Sequence, residues 1–132
     1  MSNTILVKII LPAQMILETE ADMVNIPGSD GMFGVLPGHA KLTSGIDIGV
    51  ITLVSRDFEQ RYFVYGGVAQ VTGEELNIIT EFAVDLDKTN KVNVLDNITN
   101  LKSDLSDEEV GSVEANIIAG QIERYETLLK FI

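Results

Sequence analysis

Residue types that many functional sites depend on are scarce in this sequence. Cysteine is absent, and the only histidine is His39. Without cysteine there is neither a disulfide framework nor a thiolate site, and a zinc site or a Ser-His-Asp triad needs more than this single histidine can provide. The sequence therefore argues against an enzyme and favours a binding or mechanical protein.

Long apolar runs are also missing, although 45% of the 132 residues are hydrophobic. No run approaches the roughly 18 residues that a membrane-spanning helix requires. The N-terminal residues lack the basic start and the small-residue cleavage site of a secretory signal peptide. We therefore expect a soluble or peripheral protein in the cytoplasm.

Basic residues are few: nine lysines and arginines stand against twenty aspartates and glutamates, and the net charge is −11. Both the first two thirds and the last third of the chain are acidic, so no basic patch stands out. Nucleic-acid binding and adsorption to anionic lipid are therefore disfavoured. The charge would favour a basic protein partner, although solubility alone also explains it.

Strand-like patterns fill the first part of the chain. Short stretches of alternating or branched apolar residues are separated by turn residues. Gly45 and Gly49 are expected to bracket a bend, and the pair Gly66-Gly67 is expected to interrupt a strand. The pattern predicts an antiparallel β-sandwich of eight to ten short strands over residues 1–86.

The pattern then changes to a helical period. Asp87 is the predicted N-cap of a first helix over about residues 88–102, and Ser106 and Glu109 form the predicted capping box of a second helix. A short connection between two amphipathic helices favours an antiparallel hairpin over residues 87–132. The predicted fold class is therefore α+β, with the sandwich first and the helical hairpin last.

The most distinctive segment covers residues 28–39 and reads G-S-D-G-M-F-G-V-L-P-G-H. Neither the phosphate-binding loop nor the dinucleotide fingerprint fits it, because strand-like sequence follows where both motifs need a helix. A proline followed by a glycine suits the centre of a type II turn. Five residues are predicted to shape turns here: Gly28, Gly31, Gly34, Pro37 and Gly38.

Side chains of the same segment are candidate contacts with a partner. Three of them are predicted to project from a turn: Ser29, Asp30 and Met32. Three others are predicted to carry core packing: Phe33, Val35 and Leu36. Met32 either contacts a partner as an adaptable apolar side chain or covers the end of the sandwich. His39 either contacts a partner or bonds to nearby backbone.

Residues 28–40 strongly resemble the signature of the epsilon subunit family of the F-type ATP synthase, called delta in mitochondria. That family carries a G-x-x-G-x-x-G-x-x-P-G-H run at about this distance from the N-terminus. The stretch from Gly66 to Val71 is similar to the family's G-G-x-x-x-V strand pair, and Leu86-Asp87 before a helix also fits. The resemblance spans the whole chain and implies the same order, with the sandwich first and the helices last.

The resemblance also implies a non-catalytic role in a rotating central stalk. In this family the sandwich holds the gamma subunit and rests on the ring of membrane c-subunits, which makes Ser29, Asp30, Met32 and His39 candidate contacts. The helices of family members can extend along gamma and restrain ATP hydrolysis, so the catalytic head of alpha and beta subunits is a further candidate partner. The implied location is the cytoplasmic face of a bacterial inner membrane, peripheral to it through the complex.

Some bacterial members of the family bind ATP through a motif in which isoleucine or leucine is followed by D-x-x-R-A. Here residues 86–91 read L-D-K-T-N-K, with Asn90 in place of the arginine and Lys91 in place of the alanine. Asp87 and Lys91 are the remaining candidate nucleotide contacts, but the charge-assisted arginine contact to phosphate is lost. We therefore expect no cofactor and no metal, and an ATP affinity of about millimolar or weaker.

A second class of function stays open, namely a free-standing β-sandwich module with a helical tail that binds a ligand or a protein. Co-purification distinguishes the two hypotheses. A stalk subunit should travel with gamma and the catalytic head, and a free module should not.

Overall fold

The computed structural model describes residues 4–132, so residues 1–3 of the predicted sandwich domain lie outside the described part. Eight strands come first, and two α-helices and a short 3-10 helix follow. The chain divides into two compact units, a β unit that ends at Asp87 and a helical unit over Lys88–Ile132. The predicted α+β class, with strands before helices, is confirmed.

The eight strands form one sheet. They are β1 (Ile5–Ile10), β2 (Met15–Ala21), β3 (Met23–Gly28), β4 (Gly31–Val35), β5 (Leu42–Val54), β6 (Glu59–Val71), β7 (Glu75–Ile79) and β8 (Ala83–Asp85). Their order is β2-β1-β7-β6-β5-β3-β4, and β8 pairs with β6. The pairing of β1 with β7 is parallel, whereas the neighbouring pairs are antiparallel.

The long strands β5 and β6 carry the sheet from one layer of the sandwich to the other. Their register skips Asp47 and Gly66, which marks the corner. Gly66 and Gly67 both have positive φ, at 78° and 142°, and a Cβ on Gly67 would collide with the carbonyl oxygen of Ile79. The buried hydroxyl of Thr80 donates to the carbonyl oxygen of Gly66 at 2.6 Å and stabilises the corner.

The expected bend between Gly45 and Gly49 coincides with the register skip at Asp47, but the expected interruption at Gly66-Gly67 does not end a strand. β5 passes through Gly45 and Gly49, and β6 passes through Gly66-Gly67, so each strand is 13 residues long. The strands are longer than expected at these two places, because β5 and β6 continue to pair on both sides of the bend at Asp47 and Gly66. β8 was missed because its three residues are too few to show a period.

The core of the β unit is built from alternate residues of facing strands. Ile5, Val7 and Ile9 of β1 are fully buried, and the residues between them are partly exposed. Val24 and Ile26 of β3 follow the same alternation and belong to the same contiguous cluster. This period of two is what a strand with one buried face requires.

The helical unit consists of α1 (Lys91–Ser106), α2 (Val113–Leu128) and the 3-10 turn Leu129–Phe131. The two α-helices contact each other across a short connection, as predicted for a hairpin. Val94 and Ile98 are the buried residues of α1, and they lie four residues apart on one helical face. None of the helices in residues 4–132 has the length and apolarity needed to cross a membrane.

The first helix begins later than predicted. Asp87 was expected to be its N-cap, but the carboxylate of Asp87 is bound to Arg61 of β6. The cap is Asn90, whose side-chain oxygen accepts a hydrogen bond from the amide of Asn93 at 2.9 Å. Asn90 is as good an N-cap residue as Asp87, so the sequence alone could not decide between them.

The predicted capping box of the second helix was also wrong. Ser106 ends α1, and its hydroxyl donates to the carbonyl oxygen of Ser103 at 2.7 Å. Gly111 has a φ of 82°, which lies outside the helical region, so α2 cannot run through it. Ser112 then caps α2 by accepting a hydrogen bond from the amide of Ala115 at 3.1 Å.

Candidate partner-binding surface

The predicted contact residues Ser29 and Asp30 form the turn of the β3–β4 hairpin. Gly28 pairs with Gly31 at the end of the hairpin, and the two exposed residues between them close it. Met32 follows in β4 with 66% of its side chain exposed. We call Ser29, Asp30 and Met32 the tip of the β unit.

Behind the tip, Phe33 and Val35 face inward as predicted. Val35 is fully buried, and the half-buried Phe33 packs against the core cluster. The ring of Phe33 lies over Gly28, where a Cβ would be 2.7 Å from ring atom Cε1. Leu36 was also predicted to pack inward, but it is 53% exposed, because β4 ends before it and Leu36 starts the next turn.

The remaining residues of the segment lie away from the tip. Gly34 was predicted to shape a turn, but it lies within β4, where it pairs with Asn25 of β3. The amide of His39 donates to the carbonyl oxygen of Leu36 at 3.0 Å, and Gly38 has a φ of 80°. Together with Pro37, these features form the predicted type II turn.

His39 has a backbone partner and does not join the tip. Its ring atom Nδ1 is hydrogen-bonded to the carbonyl oxygen of Ala40 at 2.7 Å. His39 and the Ser29-Asp30 turn lie at opposite ends of β4. Of the four predicted contact residues, the structure therefore groups three and leaves His39 apart.

A row of apolar side chains crosses four strands on the outer face of the β1–β7 layer. Ile10 pairs with Met15 of β2 on one side and with Ile79 of β7 on the other, and Ile79 pairs with Val68 of β6. Met15, Ile79 and Val68 are each 40–49% exposed, and Ile10 is half-buried. We call these four residues the apolar row.

The apolar row leads directly to the tip. Val68 pairs with Gly45 of β5, and the carbonyl oxygen of Gly45 accepts a hydrogen bond from the amide of Ser29 at 3.0 Å. A Cβ on Gly45 would lie 2.5 Å from Oγ of Ser29, so the Ser29 side chain covers this glycine. The row and the tip therefore form one continuous surface.

A polar row with acidic side chains borders the apolar row. Lys8 pairs with Glu18 on one neighbouring strand and with Asn77 on the other. Nζ of Lys8 lies 3.4 Å from Oε1 of Glu75, which leaves Glu18 without a matching positive charge in this row.

On the other side of the apolar row, a shallow pocket of about 570 Å³ opens between Pro12, Tyr65 and Ile79.

Sequence reasoning missed the apolar row for a topological reason. Its members come from four strands that are far apart in the sequence, and they become neighbours only through the parallel pairing of β1 with β7. The pattern of residues within a single strand does not show which strands will pair. The adjacent apolar pairs Ile9-Ile10 in β1 and Ile78-Ile79 in β7 were local signals of an outward apolar face.

The two candidate nucleotide contacts have separate surroundings. Oδ2 of Asp87 accepts a hydrogen bond from the amide of Arg61 at 3.2 Å, and Oδ1 lies 3.3 Å from Nη2 of Arg61. The side chain of Arg61 is 50% exposed and that of Asp87 is 44% exposed, so this ion pair contributes little stability through its charges alone. Lys91 is the exposed first residue of α1.

Tyr62 of β6 lies close to Asp85 and Asp87. Burial raises the pKa of the Tyr62 phenol above its usual range, and the charge of Asp85, its hydrogen bond to the phenol and the charge of Asp87 add to the effect.

No group of three or more histidines or acidic residues within residues 4–132 is arranged to hold a metal ion.

Comparison with known proteins identifies the family. The family model of the ATP synthase delta/epsilon chain β-sandwich domain matches residues 4–86. The ATP synthase epsilon chain of Rickettsia felis is 38% identical over 82% of this chain and 99% of its own length. That of Rickettsia bellii is 34% identical over 80% of this chain and 100% of its own length.

Two solved structures share the fold. A chain in the Euglena gracilis mitochondrial ATP synthase, solved as an OSCP/F1/c-ring assembly, is 18% identical, with a TM-score of 0.66 over 98% of this chain and 82% of its own. A chain in the central stalk and c-ring of the Tetrahymena thermophila enzyme is 9% identical, with a TM-score of 0.54 over 95% and 96%. The resemblance seen in the sequence is confirmed: this chain belongs to the ATP synthase delta/epsilon chain family.

Proposed function

We propose that this chain is a non-catalytic rotor subunit that couples the c-ring of an ATP synthase to the gamma subunit. Family membership supports this function, and the continuous surface formed by the apolar row and the tip is the observation that carries it. A subunit that transmits torque between two partners must contact both at once. One surface with an apolar part and a polar end suits that task.

The apolar row is the proposed gamma-binding part of the surface. Its side chains occupy neighbouring positions on adjacent strands, so they form a single patch in an otherwise acidic protein. Contiguous exposed apolar patches on soluble proteins mark interaction sites. The acidic Glu18 at the border would favour positive charge on the facing surface of gamma.

The tip is the proposed contact with the c-ring. Ser29 and Asp30 are exposed polar residues, and Met32 places a flexible apolar side chain beside them. Such a combination fits the short polar loops of a membrane ring, where Met adapts to irregular surfaces. The chain would then be peripheral to the membrane through the complex, on the cytoplasmic face of a bacterial inner membrane.

Substitution of Ile79 tests the gamma-binding part. Ile79→Glu places a charge in the centre of the apolar row, and we expect it to weaken gamma binding by about tenfold or more, since an interface centre tolerates unpaired charge poorly. Phe58→Glu is the matched control, because Phe58 is 57% exposed in the β5–β6 turn. Binding of the purified chain to gamma is measured by calorimetry.

The alternative of a free-standing module is decided by the same experiment and by co-purification. A chain that neither binds gamma nor travels with the catalytic head is not a stalk subunit. Equal loss of binding in Ile79→Glu and Phe58→Glu would move the interface away from the apolar row while leaving the rotor role intact.

We propose that the chain does not bind ATP tightly. Asp87 already accepts two contacts from Arg61, and Asn90 already caps α1. A nucleotide would have to displace these intrachain bonds without the arginine that the motif normally provides. Calorimetry with MgATP should give an affinity of about millimolar or weaker, and a micromolar site would overturn the proposal.

Restraint of ATP hydrolysis by the helical unit is part of the proposed function. The exposed apolar residues of α2, Val113 and Ile117, lie four residues apart and form a face available to the catalytic head. Assembled complexes with a chain that ends at Asp87 should hydrolyse ATP faster than complexes with the whole chain. Equal rates would exclude restraint by this unit.

A further inference from the structure

One atom of the polar row is buried without a hydrogen bond. Oδ1 of Asn77, in the middle of β7, is shielded from solvent and has no hydrogen-bond partner among residues 4–132. Asn77 as a whole is only half-buried, so other atoms of this residue reach the surface. Nearly all buried side-chain oxygens accept a hydrogen bond, and one that accepts none destabilises the fold. This oxygen therefore points to a role outside the folding of the free chain.

The neighbours of Asn77 in the polar row do not satisfy this oxygen. Asn77 pairs with Lys8 of β1 on one side and with Gln70 of β6 on the other. Neighbouring strands lie about 4.8 Å apart, so both side chains flank the amide. Nζ of Lys8, however, donates to Oε1 of Glu75 at 3.4 Å. The row thus flanks Asn77 with long side chains and gives its Oδ1 no donor.

Asn77 also lies directly beside the apolar row. Ile79 belongs to that row and stands two residues further along β7, on the same face of the sheet. Two residues along a strand span about 7 Å. A partner that covers Ile79 with the roughly 800 Å² of a standard interface therefore covers Asn77 as well.

We infer that Asn77 is a binding residue of the gamma interface and that its Oδ1 accepts a hydrogen bond from a lysine or arginine of gamma. The inference rests on the proposed rotor function, in which gamma covers the apolar row. Glu18 and Glu75 in the surroundings favour a positively charged donor, and such a donor makes a strong hydrogen bond. Lys8 and Gln70 are long and flexible, so they can move aside on binding. The oxygen thus lowers the stability of the free chain and raises its affinity for gamma.

Two measurements on Asn77→Leu test this role. Leucine has the branching of asparagine without its polar atoms, so the urea midpoint of the free chain should rise by about 0.3 M or more as the unsatisfied acceptor is removed. The dissociation constant for gamma, measured by calorimetry, should rise by about tenfold as the hydrogen bond is lost. An asparagine that only stabilised the sheet would lower the midpoint when replaced.

Two further variants serve as controls. Asn77→Asp keeps an acceptor at the same place, so its dissociation constant for gamma should stay within about threefold of the wild-type value. Asn25→Leu makes the same change as Asn77→Leu at another half-buried strand position, in β3 and outside both rows. It should leave gamma binding within about twofold and raise the urea midpoint less than Asn77→Leu does.

Several outcomes would contradict the inference. If Asn77→Leu lowers the urea midpoint or fails to fold, the oxygen is already satisfied in the free chain. If Asn77→Leu binds gamma as tightly as the wild type, or if Asn77→Asp binds as weakly as Asn77→Leu, gamma donates no hydrogen bond to Asn77, and the rotor role still stands. An equal loss of binding in Asn25→Leu would show that the effect does not belong to Asn77. A wild-type chain that does not bind gamma would overturn the rotor role and this inference together.

Discussion

At the scale of single residues, Tyr62 makes stability sensitive to alkaline pH. Burial and the nearby Asp85 and Asp87 raise the pKa of its phenol in the folded chain above the value of about 10 that applies to the unfolded chain. The unfolded chain therefore loses this proton at a lower pH than the folded chain. The stability gained from neutral Tyr62 is complete below about pH 10 and is lost as the pH rises through the folded pKa.

The change Tyr62→Phe isolates this effect. We expect urea unfolding midpoints of the wild-type chain to fall more steeply than those of Tyr62→Phe between about pH 9 and 11, because phenylalanine has no proton to release. Every other titratable group is present in both proteins. Parallel curves for the two proteins would show that the Tyr62 phenol does not carry the alkaline sensitivity.

The neighbours Met32 and Phe33 are expected to respond to alanine in opposite ways. Phe33→Ala removes a half-buried ring that packs against the core, and the free energy of unfolding should fall by about 2 kcal/mol. Met32→Ala removes a side chain that is 66% exposed, and the change should stay within about 0.5 kcal/mol. Urea unfolding measures both, and equal losses would mean that Met32 covers the sandwich end.

Alternation within a strand was enough to predict which residues of this segment point inward, but only where the strand continues. Phe33 and Val35 followed the prediction, since both lie in β4. Leu36 did not, because its orientation depends on where β4 stops. The same limit applies to His39. Its place in a turn could be predicted from the preceding Pro37-Gly38, whereas its hydrogen bond to Ala40 depends on the path of the chain after the turn.

At the scale of elements, substitutions of Ser106 and Ser112 distinguish the predicted start of α2 from the observed one. Ser112→Ala removes the cap that accepts from Ala115, and the helical unit should lose about 1 kcal/mol. Ser106→Ala should cost less than about 0.5 kcal/mol, since its hydroxyl bonds to a carbonyl at the end of α1. Exchange of the Ala115 amide gives the measurement, and a larger effect from Ser106→Ala would restore the predicted capping box.

Element types could be predicted here more reliably than element ends. The periods of two and of 3.6 residues separated strands from helices along the chain, because one buried face is enough to produce each period. The helix starts could not be predicted, because several good capping residues precede each helix. The observed caps are Asn90 for α1 and Ser112 for α2. The parallel pairing of β1 with β7 leaves no local signal at all, and the apolar row depends on it.

At the scale of the whole molecule, the two units are expected to be separable. The core cluster of the β unit consists only of residues that precede Asp87, so a chain ending at Asp87 should fold with its near-ultraviolet circular dichroism and its gamma binding retained. A chain ending at Val84 lacks the contacts of Leu86 and Asp87 and should unfold at lower urea concentration. An unfolded Asp87-terminated chain would show that the predicted division into residues 1–86 and 87–132 is wrong.

The central claim is that the tip faces the c-ring, and cysteine cross-linking tests it most directly. The chain has no cysteine, so a single Met32→Cys introduces a unique thiol at a position that is 66% exposed. Phe58→Cys is the control, because Phe58 lies in the β5–β6 turn, at the other end of β3 from the tip. In the assembled complex, Met32→Cys should cross-link to a cysteine in the polar loop of a c-subunit and Phe58→Cys should not. A ring cross-link from Phe58→Cys and none from Met32→Cys would contradict the claim.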